Sequence, residues 1–256
     1  LINNSNSVIT VTFTATPKLA GCADGAPVVV TVDVEPTPVS QVINNDLVIC
    51  DGGNVDIDIA TLTTTVAAQS FDVAVASTNA GATGGTAFTP LAGQAYPLTI
   101  SGTLTNSSNS VITVTYTITP KLAGCADGAP VVTTVQIEPT PQAALNNLAP
   151  VICNAGNANI QVSSPTTPTT AGNLMFDIAV ASTNGPATGG TAFTALNNQT
   201  FPFTINGSLT NSSNDDITVT FTITPKLAGC SSGPVQIANV VVEPTPSVVV
   251  VNNVPK

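Results

Sequence analysis

LTNSSNSVITVTYTITPKLAGCADGAPVVTTVQIEPTP, residues 104 to 141, decides the fold. Within it Ile112, Val114, Tyr116 and Ile118 alternate with Thr113, Thr115 and Thr117. A strand turns successive side chains to opposite faces, so this period of two places the apolar set on a core face and the threonines toward solvent. The turn GCADGAP follows, then a second strand-like run, and then EPTP. Proline cannot continue a paired strand, and the closing tetrapeptide reads as a short, stiff, extended link.

The same segment occurs three times. Residues 1 to 38 read LINNSNSVITVTFTATPKLAGCADGAPVVVTVDVEPTP, and residues 209 to 246 read LTNSSNDDITVTFTITPKLAGCSSGPVQIANVVVEPTP. Successive copies are offset by 103 and 105 residues, the length of a small domain. The preceding halves recur as well: FDVAVASTNAGATGGTAFT from Phe71 matches FDIAVASTNGPATGGTAFT from Phe176. Further alternating runs (Val55, Ile57, Ile59; Phe71, Val73, Val75; Val30, Val32, Val34) are divided by Gly- and Asn-rich turns such as DGGN at Asp51 and NAGATGG at Asn79. Several short strands of this kind indicate two packed sheets, and no helix is expected.

The expected architecture is therefore all-β: tandem immunoglobulin-like β-sandwich domains in a linear array. Residues 1–38 read as the C-terminal part of a first repeat, 39–141 as the second, 142–246 as the third, and 247–256 as the first strand of a following repeat or a donor strand. A hairpin alone is marginal in water, and residues 1–38 would expose Val8, Ile9, Val11, Phe13, Val30, Val32 and Val34. The same polypeptide beyond its two ends, or another subunit, would have to cover that face. Leu1 is not an initiator, so the chain reads as a mature fragment or a window of a longer product.

Composition narrows the function. Hydrophobic residues make up 43% and charged residues 7%, which favours a folded chain over a disordered one. There is no His and no Arg, and the four cations are Lys18, Lys121, Lys226 and Lys256. With a net charge of −10, the chain repels a phosphate backbone and lacks the basic cluster needed to bind one, so nucleic acid is not a partner. An anionic membrane surface is disfavoured for the same reason, and no apolar run is long enough to insert in a bilayer.

Catalytic, cofactor and metal sites are not expected. Acid–base or nucleophilic chemistry needs a His, or a carboxylate or lysine set against a partner in a pocket. Lys18, Lys121 and Lys226 share one repeated position, read as a solvated turn. Asp56 and Asp58 share a strand face and could hold a cation, but the third repeat carries Asn159 and Gln161 there, so they read as solvated surface. No EF-hand loop or CxxC pair occurs, and the TGG at Thr83 and Thr188 reads as a turn.

Five cysteines recur in two settings: Cys22, Cys125 and Cys230 in LAGC, and Cys50 and Cys153 in VIC. Spacing allows pairing within repeats (Cys50–Cys125, Cys153–Cys230) or across the links (Cys22–Cys50, Cys125–Cys153). The intradomain set is preferred, because a stiff link should hold the other pairs apart; it requires both cysteines to lie at one end of the sandwich. Disulfides imply an oxidising, extracellular setting. Sequons at Asn3, Asn106, Asn198, Asn206 and Asn211 make covalent glycans a further expectation, with Asn3, Asn106 and Asn211 placed in an exposed turn.

VICDGG at Val48, the TLTN…VTYTITP strand, the GC turn and the closing EPTP link together resemble the PKD-like and immunoglobulin-like tandem repeats of large secreted surface proteins of the Bacteroidota. The resemblance covers essentially the whole chain, though the WDFGDG core of typical PKD domains is absent. It implies surface display, adhesion or fibre formation, and no enzyme. The expected role is a structural subunit or segment of an extracellular bacterial filament, partnered head to tail by copies of itself. The alternative is the stalk of a cell-surface adhesin whose binding tip lies elsewhere.

Overall fold

A computed structural model describes residues 1–252. The chain divides into two compact units, Leu1–Asn106 with Ile112–Ile137, and Ser107–Val111 with Glu138 onward. Each contains one β-sandwich, as the alternation required.

In the first unit Ser40–Asn44, Asn54–Thr61 and Leu98–Thr103 form a three-stranded antiparallel sheet. Opposite it, Val48–Ile49, Val131–Ile137, Ile112–Leu122, Gln69–Ser77 and Leu91–Gln94 form a five-stranded sheet in that spatial order. Val48–Ile49 joins it in parallel, the other strands antiparallel. Val55, Ile57 and Ile59 of the small sheet share one buried cluster with Phe71, Val114, Tyr116 and Ile118 of the large one. Period two sorts the strands: Asp56 and Asp58, between those buried residues, are exposed.

The second unit repeats the plan. Ala144–Asn147, Asn157–Ser163 and Phe203–Ser208 form the small sheet, and Val151–Cys153, Gln236–Glu243, Ile217–Leu227, Leu174–Ser182 and Leu196–Thr200 form the large one. Its core gathers Ile160, Phe176, Ile178, Val219, Phe221 and Val240. Among the described residues the helical content is two single turns of 3-10 helix, Ala171–Asn173 and Gly185–Ala187.

The leading hairpin of the first unit pairs Ile9–Ala15 with Val28–Val34. Phe13 occupies the repeat position of Tyr116 and Phe221, yet it is 51% exposed where both of those are fully buried. Sequence is nearly constant across the three positions, so the difference comes from the neighbours. In the complete sandwiches this hairpin lies inside a five-stranded sheet and under a second one.

The repeated lysine position departs from the sequence expectation. Lys121 and Lys226 lie within strands, Ile112–Leu122 and Ile217–Leu227, which run past Pro120 and Pro225. Proline is tolerated because pairing with Val131–Ile137 stops at Ile118, while pairing with Gln69–Ser77 continues to Leu122. The Pro120 carbonyl accepts the Gly128 N–H on the side the partner strand has left. A residue's nitrogen and carbonyl face the same side of a strand, so the missing N–H interrupts no ladder. In the hairpin the strand ends at Ala15, because among the described residues no neighbour equivalent to Gln69–Ser77 lies beside it.

Candidate interface at the repeat ends

Strand register fixes which residues sit at which end of each sandwich. Ile49 aligns with Ile137, so Cys50 lies at the trailing end, where the chain leaves toward Glu138. Ile118 aligns with Val131, so the turn between them, closed by the Cys125 N–H on the Leu122 carbonyl (3.0 Å), lies at the leading end. In the second sandwich Cys153 aligns with Glu243 at the trailing end, and the Cys230 turn lies at the leading end.

The preferred intradomain pairs are therefore not formed. Cys125 and Cys153 are free, as is Cys22, and all three are exposed. Cys50 and Cys230 are disulfide-bonded. The physical reason is the even-strand condition: at ~3.3 Å per residue, the intervening strands hold Cys50 and Cys125 roughly 30 Å apart, and Cys153 and Cys230 likewise.

The trailing end of the leading hairpin carries a small set of polar contacts. The Thr64 N–H donates to the Asn6 carbonyl (2.8 Å), and the Val66 and Ala67 N–H groups donate to Glu35 Oε1 (3.0 and 2.8 Å). In the second unit the Thr167 N–H donates to the Asn109 carbonyl (2.8 Å), while the Thr169 N–H and hydroxyl donate to the Glu138 carboxylate. Ser7 bridges Thr64 as Ser110 bridges Thr167. The first residue after each link is held alike: the Val39 N–H donates to the Thr63 hydroxyl, and the Gln142 N–H to the Thr166 hydroxyl. Glu138 is 6% exposed, which a carboxylate tolerates only with donors of this kind.

A close backbone approach marks the leading end. Gly128 lies against the Pro38 carbonyl and Gly233 against the Pro141 carbonyl, so a Cβ at either position would overlap main chain. These contacts were missed in the sequence, where EPTP reads only as a linker. The recurrence of its glutamate at Glu35, Glu138 and Glu243 was the available signal.

The sequons separate into two groups. Asn106 and Asn211 are 2% exposed and Asn3 is 9% exposed, which corrects the expected exposed turn. Their side-chain amides donate to the carbonyls of Ile137, Val242 and Val34 at 2.9, 2.8 and 2.8 Å, closing the hairpin from inside. The nitrogen a glycan would occupy is thus already engaged. Asn198 and Asn206 are exposed.

Lys18, Lys121 and Lys226 are ion-paired at the surface: Lys121 with Asp72 at 2.7 Å, Lys226 with Asp177, and Lys18 with Asp24 at 3.3 Å. The Lys121 hydrogen bond, then the Gly93 N–H, hold the Asp72 carboxyl below its ordinary range. Asp58 accepts the Thr99 hydroxyl (2.6 Å), and Asp56 is exposed on the same outer face. Among the described residues no group of three or more His, Cys, Asp or Glu is placed to hold a metal, and no helix is long and apolar enough to cross a membrane. A depression of about 480 Å³ in the second unit, bordered by Thr167, Pro168, Leu174 and Phe201, carries no acid, base or lysine on its walls.

These features can be set beside known proteins. Residues 47–141 match the PKD-like domain family. No curated protein matches the chain in sequence. Among solved structures it is similar to the FdeC adhesin of Escherichia coli, at 13% identity and a TM-score of 0.44, covering 93% of this chain and 74% of that one. It is also similar to the D00–D0 domain of intimin, at 8% identity and a TM-score of 0.37, covering 78% and 99%. A third is the adhesin InvE of Yersinia pseudotuberculosis, at 12% identity and a TM-score of 0.28, covering 79% and 58%. The PKD-like match and the sandwich geometry agree on tandem immunoglobulin-like β-sandwiches.

Proposed function

We propose that this chain is a structural segment of an extracellular bacterial filament built head to tail from immunoglobulin-like repeats. The observation that carries the reading is the repeated end contact. Glu35 and Glu138 hold the same loop position, Asn6 and Asn109 accept the same threonine N–H, and Thr63 and Thr166 hold the first residue after each link. A contact that joins the trailing end of one repeat to the leading end of the next is heterologous, and a heterologous contact that does not close propagates. Disulfide-bonded Cys50 and Cys230 favour an oxidising, extracellular compartment. Exposed Asn198 and Asn206 are the sites where a glycan fits without unfolding a hairpin.

Negative-stain images of native material are expected to show threads with an axial repeat of ~30–40 Å, the length of strands of nine to eleven residues. Isolated short particles would overturn the filament reading. The same end contact also suits the stalk of a cell-surface adhesin; threads each ending in one distinct head would favour that alternative.

A further inference from the structure

The two sandwiches differ in chemistry at one loop and the strands beside it. In the first unit the Gln69 carboxamide ties that loop down: its Nε2 donates to the Thr63 carbonyl (2.8 Å) and the Thr65 hydroxyl (2.7 Å), and its Oε1 accepts the Thr61 hydroxyl (2.5 Å). Beside it the Tyr96 and Ser40 hydroxyls share a hydrogen bond of 2.5 Å.

The second unit keeps none of these three side chains. Gln69 lies opposite Leu122 in its sheet, and the residue that lies opposite Leu227 is Leu174. Phe201 stands for Tyr96 and Ala143 for Ser40, and Leu174 follows Thr167 by seven positions where Gln69 follows Thr64 by five. Phe201 does not swing in to compensate: its ring centroid is 4.6 Å from that of Phe176, as Tyr96 is 4.7 Å from Phe71. The result is the depression of about 480 Å³, floored by Leu174, Pro168 and Phe201 and rimmed by the exposed Ser163, Thr167 and Thr200. Thr166, the counterpart of Thr63, also borders it, and among the described residues no donor takes the place of the Gln69 amide at its carbonyl.

A second depression of about 310 Å³ adjoins the first and shares Ser163 and Pro202 with it. Its walls include Asn146 and Gln161, joined by Asn146 Nδ2 donating to Gln161 Oε1 (3.1 Å). The first unit carries Ile43 and Asp58 at these positions, so the second has a neutral amide in place of a carboxylate.

We propose that the adjoining depressions bind a neutral oligosaccharide, with an acetamido sugar in the larger one and the next sugar against Gln161 and Asn146. The larger volume lies within the range of about 300–1,000 Å³ common to small-molecule sites. Neither depression has a charge on its walls, and an ionised ligand would lose water there without a counter-charge. The acetamido group restores what Gln69 supplies in the first unit. Its N–H donates to the Thr166 carbonyl, its methyl covers Leu174, and the C–H face of the sugar ring lies on Phe201. The rim hydroxyls exchange water for sugar hydroxyls, and Gln161 Nε2 and Asn146 Oδ1, not used between the two side chains, serve the next sugar. A glutamine side chain of a protein partner would satisfy the same carbonyl but leave the second depression unused.

For the test, the unaltered chain is isotope-labelled and titrated with N,N′-diacetylchitobiose and, in parallel, with cellobiose, which has a hydroxyl in place of each acetamido group. Amide signals should move and saturate at Gln161, Thr166, Thr167, Leu174 and Phe201, while those of Thr63 and Gln69 in the first unit stay in place. Cellobiose should bind about tenfold more weakly, the worth of one hydrogen bond. Leu174→Gln returns the carboxamide of the first unit and should weaken binding of the acetamido disaccharide by about tenfold or more. Gln161→Ala should weaken the disaccharide but not N-acetylglucosamine alone. Stationary signals, equal affinity for the two disaccharides, or movement in the first unit as large as in the second would overturn the proposal. So would unchanged affinity in a Leu174→Gln chain that keeps its melting transition; should that variant not fold, the signal mapping on the unaltered chain decides. Displacement of the sugar by a glutamine-containing tripeptide at lower concentration would also overturn it and assign the pocket to a protein partner.

Discussion

Tyr116 shows how far a single side chain can be read across the repeats. It is fully buried, its hydroxyl donates to the Ala87 carbonyl (3.2 Å), and burial pushes its pKa up to about 12. The unfolded phenol ionises near 10, so stability is intact below that pH and falls as pH rises from about 10 toward 12. Absorbance titration of the phenolates should show Tyr116 ionising together with alkaline unfolding. The second sandwich places Phe221 at the equivalent position, also buried. Tyr116→Phe should accordingly cost only about 1 kcal/mol, the value of one hydrogen bond, in denaturant unfolding. Asn211 behaves oppositely. Its amide is spent on the Asp215 and Val242 carbonyls, so Asn211→Ala should cost about 1–3 kcal/mol, and glycopeptide mapping should find Asn198 and Asn206, not Asn211, as the modified positions. Polar residue types could be read from the sequon pattern, but their burial could not, because a sequon does not encode which backbone carbonyls come within reach.

At the scale of elements, the strand Ile112–Leu122 was legible up to Ile118 and misread beyond it. Alternation marks the apolar side of a strand, yet whether the strand survives a proline depends on which flank carries the partner. Pro120, Lys121 and Leu122 are kept in the sheet by Phe71, Ser70 and Gln69. Asp72 is the electrostatic part of that support: its folded pKa is depressed, chiefly by the hydrogen bond from Lys121. Its contribution is therefore present above the unfolded value and lost as pH falls through the lower folded one, that is, below about 4. Asp72→Asn should lower the melting temperature slightly at neutral pH and leave it unchanged in strong acid. The same sequence in residues 1–38 lacks that neighbour, and hydrogen exchange there should be fast even at Phe13.

At the scale of the molecule, the ends of the repeats carry the organisation. Gly128→Ala places a methyl group on the Pro38 carbonyl, and Gly128 cannot retreat from it without breaking its N–H bond to the Pro120 carbonyl. A loss of about 1–3 kcal/mol is expected from such overpacking, read by thermal unfolding. Glu138→Gln keeps the shape but removes the charge that the Thr169 N–H and hydroxyl address; exchange protection of the Thr169 amide should fall while the core strands keep theirs. The sequence by itself determined that this protein is all-β, that it repeats, and which side chains face each core, since period two and a 103- to 105-residue offset are properties of the chain alone. Only the tertiary structure decided which cysteines face which end, which sequons are buried, and what the EPTP glutamate holds. Those depend on strand order and register, and two residues equally spaced in sequence can lie at the same end of a sandwich or at opposite ends according to how many strands run between them.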